Sequence, residues 1–357
     1  MMVENNRRFS FMTIFNILRS VHGLTRLSAA ALMALMLIAT AACHNDHPST
    51  PRGDSFKTSS VRILRFEKEL FETDEARLQA HLQEITPTYN SPLLNIQPND
   101  EQYMSQLRGF VSDPYIREIY DSVERHYADL GWLERQLGDA MARSQKLLPE
   151  LRTPQIITFL SGRLDYEYRV VCYDTTVLIS LDQYALPCFA KYAYFELPHF
   201  IVSLCTHNHL LPDIMAAIAR ERIAAPTDEP TMLDLMVAEG KVLYFLDCAL
   251  PDVHDSLKLR YTAAQLDWAS ANEGKVWAYF IQNNLLYETD ANKYFNFVDD
   301  APKTNAFGES APRMTAYIGR DIVAQYVKRT GITMSDLFAN NDAQQILKES
   351  AWKPSRK

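Results

Sequence analysis

Spaced by its apolar positions, the chain reads as a helical first third, a short β-type middle and a helical remainder. Val61-Arg-Ile-Leu-Arg-Phe-Glu-Lys-Glu-Leu-Phe71 predicts a short extended piece running into a helix. Apolar residues recur at three- and four-residue spacing through 101–110, 114–128 and 132–147, which predicts three further helices. Asp113-Pro114 supplies an N-cap followed by a first-turn proline. The runs 155–161, 168–173 and 176–181 predict three short strands, the last two joined as a hairpin at Asp174-Thr175. Helical spacing returns at 194–206, 213–223, 263–287, 319–328 and 342–348, with a Pro- and Gly-containing loop over 302–313. The expected class is α+β, mostly helical, with a small sheet flanked by helices.

The densest apolar stretch is Thr231-Met-Leu-Asp-Leu-Met-Val-Ala-Glu-Gly-Lys-Val-Leu-Tyr-Phe-Leu-Asp247, whose length and composition predict a helix buried on most sides. On a helical projection Asp234 and Lys241 share one narrow polar stripe, and Glu239 falls almost opposite, among Met232, Leu235, Met236, Leu243 and Leu246. A carboxylate there must pair with a charge or donor, bind a metal, or take up a proton. Gly240 beside it costs roughly 1 kcal/mol in a helix interior relative to alanine, and it suits the close approach of a second backbone. Structural pairing of Glu239 with an Arg or Tyr and a role in an active site are both open readings.

Residues 27–42 form an apolar run shorter than a membrane-spanning helix, preceded by Arg7, Arg8, Arg19 and Arg26. It ends in Thr40-Ala-Ala-Cys43, which resembles a bacterial lipobox, with Thr40 in place of the usual leucine. The expectation is a signal peptide over 1–42, lipidation at Cys43, a flexible polar tether over 43–60 and one globular body over 61–354. Removal of residues 1–42 takes away four arginines and one glutamate and leaves a formal charge of −11, against nucleic acid as a partner. The membrane is expected to be touched through the N-terminal lipid only. With Asp46 the only acid close to Cys43, the body is expected to face the periplasm from the outer membrane. Cys172, Cys188, Cys205 and Cys248 show no CxxC spacing, so disulfides and buried thiols both remain open.

A helix carrying Glu-Gly after a small sheet suggests a zinc peptidase, where HExxH gives two ligands and a base and a later carboxylate completes the site. Glu239 suits the later carboxylate, but no HExxH is present. His207 and His209 would point about 200° apart on a helix, so solvated histidines are expected rather than ligands. No GxSxG elbow, Walker A loop or dinucleotide fingerprint occurs, and 11 glycines in the whole chain leave little for phosphate-cradling loops. Cys205 reads as a buried thiol. No metal and no cofactor are expected. The remaining candidate polar or cleft residues are Asp182 and Tyr184, in the Leu181-Asp-Gln-Tyr184 segment that closes the sheet, with Lys241 and Arg313. Glu273 and Trp277, one turn apart, suggest a polar residue entering an aromatic seam. Arg313, Tyr317 and Asp321 are the expected partners for Glu239 or Glu273.

Four stretches resemble the gliding-motility lipoproteins of the GldB type found in the Bacteroidetes. They are Arg65-Phe-Glu-Lys-Glu-Leu-Phe71, Leu181-Asp-Gln-Tyr184, Met232–Pro251 with its Ala-Glu-Gly-Lys, and a long C-terminal set. That set includes Tyr261-Thr, Asn272-Glu-Gly-Lys-Val-Trp-Ala-Tyr-Phe-Ile281, Leu285-Leu-Tyr287 and Ala311-Pro-Arg313. It continues through Tyr317-Ile-Gly319 and Ile322-Val-Ala-Gln-Tyr326 to Glu349-Ser-Ala-Trp-Lys-Pro354. Gly319-Arg-Asp stands where the family more often shows Gly-Trp and a polar residue, and Lys275 is a second departure. The resemblance implies a lipid-anchored envelope protein that works with other envelope proteins of the motility and secretion machinery. It also implies a degenerate zincin-like domain without its metal motif. The leading expectation is therefore a non-catalytic pseudo-peptidase that binds proteins through its former substrate cleft, with Glu239 and the Glu273/Trp277 helix at that surface. The alternatives are a hydrolase using Glu239 or Glu273 as base, and a peptide- or glycan-binding lipoprotein.

Overall fold

The sheet has four strands rather than three, because the extended entry at residue 63 joins it. A computed structural model describes residues 60–89, 91–162, 169–185, 197–226 and 228–354. The signal segment, Cys43 and the tether apart from Ser60 lie outside the described residues, as does Cys188. Strand β1 (Ile63–Arg65) pairs in parallel with β2 (Gln155–Phe159), with Leu64 opposite Ile157. Nothing local announces this pairing: β1 has three residues, and its partner lies some ninety positions later. Strands β3 (Val170–Tyr173) and β4 (Thr176–Ser180) form the expected antiparallel hairpin, turning at Asp174 with φ of 50°. β2 pairs in parallel with β4, giving the order β1-β2-β4-β3. All five residues of β4 are buried, which explains its unbroken Val-Leu-Ile run.

The early helices follow the predicted spacing. They are α1 (Phe66–Phe71), α2 (Leu78–Ile85), α3 (Glu101–Ser112), α4 (Pro114–Tyr127) and α5 (Gly131–Leu147), with α2 not predicted. The Asp113 carboxylate accepts from the Tyr115 and Ile116 amides and starts α4 as its sequence proposes. After the sheet come α6 (Leu181–Ala185), α7 (His199–Leu204) and α8 (Leu210–Arg222). The central helix α9 (Met232–Ala249) packs against α5 and α8. Beyond it lie α10 (Asp255–Leu259), α11 (Ala263–Gln282), α12 (Ala291–Val298), α13 (Met314–Thr330), α14 (Met334–Ala339) and α15 (Ala343–Ser350), of which α12 to α15 also pack on α9. α11 stops short of its predicted end because Asn284, at φ of 53°, turns the chain back. α10 and α14, too short for a clear period, are not predicted, and neither is α12 despite its amphipathic pattern.

The central position of α9 matches its composition, but its polar stripe does not exist as expected. Asp234 is consumed at the N-terminus, where it and Thr231 form a reciprocal capping box. Lys241 is buried, 2% exposed, and its Nζ donates to the carbonyl of Asn340, at the C-terminal end of α14. Burial pushes its pKa down to about 8. Gly240 does what its place in the helix suggested. A Cβ there would overlap the Gly319 carbonyl and sit 3.0 Å from the Arg320 amide, so α9 and α13 cross backbone to backbone. Among the described residues no helix is long and apolar enough to cross a membrane.

Candidate functional site: an ionic network beside an acidic cleft

Two of the proposed site residues, Glu239 and Arg313, meet in one network, and a third, Tyr184, belongs to a second cluster. Glu239 Oε1 accepts from Arg220 Nη2 at 2.6 Å, across from α8, and from Arg313 Nη2 at 2.7 Å, at the mouth of α13. Arg313 is itself buried, with its Nε 3.5 Å from Asp300 Oδ1, and Asp300 Oδ2 also binds Arg260 Nη1 at 2.9 Å. Arg313 is held in place by a left-handed backbone, φ 48°, and by Tyr261, whose hydroxyl donates to the Pro312 carbonyl at 2.6 Å. A second acid on an apolar helix face, Asp213 of α8, accepts from Arg169 Nε at 2.7 Å and from the Tyr184 hydroxyl at 2.8 Å. Tyr127 in turn donates to the Tyr184 carbonyl at 2.9 Å. Burial of Glu239 pushes its pKa up, but Arg220 and Arg313 more than offset this and hold it below the usual carboxylate range. A carboxylate fixed in its ionised form between two guanidiniums neither donates nor accepts a proton readily near neutrality.

The other proposed residues are elsewhere. Asp182, two residues before Tyr184, accepts from the Ser161 and Gly162 amides and from the Ser161 and Ser180 hydroxyls, and so pins the chain where it leaves β2. Burial raises its pKa against the pull of those donors. Lys241 serves α14. Trp277 packs edge-on against Trp352 with ring centroids 5.1 Å apart, which secures the C-terminal segment. The expected aromatic seam lies along the same helix, where Tyr279 and Phe280 meet Phe297 and Lys275 sits 6.0 Å over the Phe307 ring.

Glu273 is buried and hydrogen-bonded to the Asp321 carboxyl, as the sequence suggested. Burial pushes Asp321 up to about 7, and the Glu273 charge adds to the rise. Two carboxyl groups in contact require a shared proton. The folded chain therefore keeps a proton that an unfolded aspartate, titrating near ~3.9, releases. The stability from this pair is complete below the unfolded pKa and is lost as pH rises through about 7. Asp321→Asn retains a hydrogen-bonding side chain without the proton requirement. It is expected to raise stability by about 2 kcal/mol at pH 8 and by little at pH 4. Thermal unfolding at both values checks this; an equal change at both would remove the shared proton as the cause.

Arg320, which with Lys275 marks the departures from the motif pattern noted above, is engaged on both sides of its guanidinium. Arg320 Nε lies 3.1 Å from Asp247 and its Nη2 2.8 Å from Asp255, while Lys258 bridges the same two acids at 2.6 and 2.9 Å. His207 and His209 point apart, as their spacing required: His207 stacks on Trp132 at 3.9 Å, and His209 Nδ1 meets Thr206 Oγ1 at 2.8 Å. His209 is buried, not solvated, and burial lowers its pKa. Cys205 is a fully buried thiol, and Cys172 and Cys248 are also free. Among the described residues no group of three or more His, Cys, Asp or Glu is placed to hold a metal ion. The sequence reading missed Arg169, Asp213, Arg220, Arg260 and Asp300. Asp213, set in Leu-Leu-Pro-Asp-Ile, carried the same signal that singled out Glu239.

A cleft of about 580 Å³ adjoins this network. Leu235, one turn ahead of Glu239, and Asp299, next to Asp300, both line it, together with the 228–230 turn and the outer face of α12.

The family comparison agrees with the resemblance drawn from the motifs. A family model described as gliding motility protein GldB matches residues 48–354. No curated protein and no solved structure matches the chain.

Proposed function

The chain belongs to the GldB family of gliding motility proteins, and from that premise we propose a lipid-anchored envelope component that works by binding other proteins of the motility and secretion machinery. Lipidation at Cys43, the tether and a periplasm-facing body at the outer membrane are parts of this reading. The observation that carries the non-catalytic half is Glu239. The acid best suited to serve as a base is held ionised by Arg220 and Arg313, at 2.6 and 2.7 Å. That arrangement supports a rigid binding body better than proton transfer. The zincin-like, pseudo-peptidase ancestry is compatible with it but adds no support.

The test is cross-linking of the full-length lipoprotein in intact cells, followed by isolation and identification of its neighbours, with zinc content measured on the same protein. The expected result is a reproducible set of envelope proteins, reduced in a Cys43→Ala variant, and no stoichiometric zinc. Zinc that is lost in a folded Glu239→Gln variant, with peptide hydrolysis lost alongside it, would put the hydrolase reading first.

A further inference from the structure

The cleft beside the ionic network has a one-sided chemistry. Its floor is apolar, with Leu235, Tyr294 and Val298, and Phe295 at its edge is 46% exposed. Its rim carries Asp228 and Glu229 from the 228–230 turn and Asp290 and Asp299 from the two ends of α12, and among the described residues no lysine or arginine lines it. The one cation of α12, Lys293, is bound to Glu288 at 2.6 Å and also feels the Asp290 charge. An exposed phenylalanine beside other apolar side chains in a concave surface marks an interaction site more strongly than the same area on a convex one.

We infer that this cleft docks a polypeptide segment that sets lysine or arginine beside a large apolar side chain. The inference rests on the protein-binding reading above and names the partner's chemistry. Charge complementarity selects the occupant. An acidic rim around an apolar floor disfavours anionic lipid and nucleic acid, whereas a basic residue flanking an aromatic or aliphatic one suits rim and floor together. A single divalent cation is a poorer match, since the acids are spread around the rim and do not converge as ligands. Asp299 adds a local reason. Burial and then the neighbouring Asp300 charge push its pKa up against the pull of Arg313, and a cation docked beside it would favour its ionised form.

The probe is a fluorescein-labelled octapeptide alternating lysine with phenylalanine and leucine, titrated with full-length protein in detergent at low ionic strength and read by anisotropy. Two control peptides replace lysine with glutamate, or the apolar residues with serine. The Glu229→Lys/Asp299→Lys double variant is expected to weaken binding roughly tenfold, and Phe295→Ser to weaken it severalfold. A Glu75→Lys/Glu101→Lys protein carries the same change of net charge on exposed acids of the N-terminal third. It is expected to bind like the wild type. No binding of the lysine peptide, equal binding of the serine peptide, or equal weakening in the control protein would each overturn the assignment. The two readings separate cleanly. If the cleft variants keep the neighbours cross-linked by the wild type, protein binding stands and the cleft is not where it occurs.

Discussion

Gly319→Ala is expected to destabilise the protein by about 3 kcal/mol or more, or to leave no soluble folded chain. The helices α9 and α13 make the most extensive helix pair in the molecule. At their crossing, a Cβ on Gly319 would overlap the Met236 carbonyl oxygen and lie 2.9 Å from its carbon. These are backbone atoms of a buried helix, so no side chain can rotate away to make room. The two helices must separate, and every apolar contact along the seam loosens with them. Gly240→Ala meets the Gly319 carbonyl in the same way and is expected to follow closely. Gly109 is the control. It also sits inside a helix, α3, yet nothing lies within 4 Å of its Cβ position. Gly109→Ala is expected to gain up to ~1 kcal/mol from helix propensity. Chemical denaturation of the three variants reads the ranking. A Gly319→Ala protein as stable as the Gly109→Ala one would mean that the crossing is not tight.

Arg313→Met is expected to cost about 3–5 kcal/mol, the range for removing one partner of a buried ion pair. The loss is not confined to one contact. Glu239 would keep only Arg220, whose side chain is 49% exposed, and Asp300 would keep only Arg260. Two acids would then face each other across a hydrophobic side chain. The pH dependence gives the sign. Glu239 is held below the usual carboxylate range, so the stability it contributes is present above the unfolded pKa and is lost as pH falls through the folded one. Wild type and Arg313→Met should therefore differ most near neutral pH and converge in acid. A Glu239→Gln/Arg313→Met double variant, less damaged than Arg313→Met alone, would locate the penalty in the stranded carboxylate. A constant difference from pH 7 to pH 3 would place the cost in packing or in the backbone at residue 313 instead.

The outcome for each residue depended on whether its reasons were local. Gly240 could be read because a glycine in a buried helix has few uses, and close approach is the main one. Glu239 could be read as needing a partner, and Arg313 was among those named, because a buried charge obliges one. Lys241 was placed on a polar stripe by the same projection, but a helical wheel gives an angle and not what lies there, which at Lys241 is the end of α14. Arg220, Arg260 and Asp300 were illegible, since they gain their meaning only when α8, α10 and the segment after α12 meet. β1 was visible as an extended piece but not as a sheet member, because a three-residue strand has no period and its pairing is fixed by a remote segment.

That entry strand has a mechanical consequence. In a body held by its N-terminus, tension along the chain reaches β1 first, and a three-residue edge strand hydrogen-bonded on one side would peel away easily. Side chains reinforce it. The Ile63 amide donates to Glu134 of α5 at 2.8 Å. Arg65 reaches Glu67, Glu124 and the Tyr127 carbonyl, the last two at 2.9 and 2.8 Å. Glu124 is gripped again by Lys68 at 2.7 Å. A pull arriving through the residues before β1 would thus be shared among α1, α4 and α5 as well as the β1–β2 ladder, so the first turn of the body would act as a strain relief for whatever holds that end of the chain.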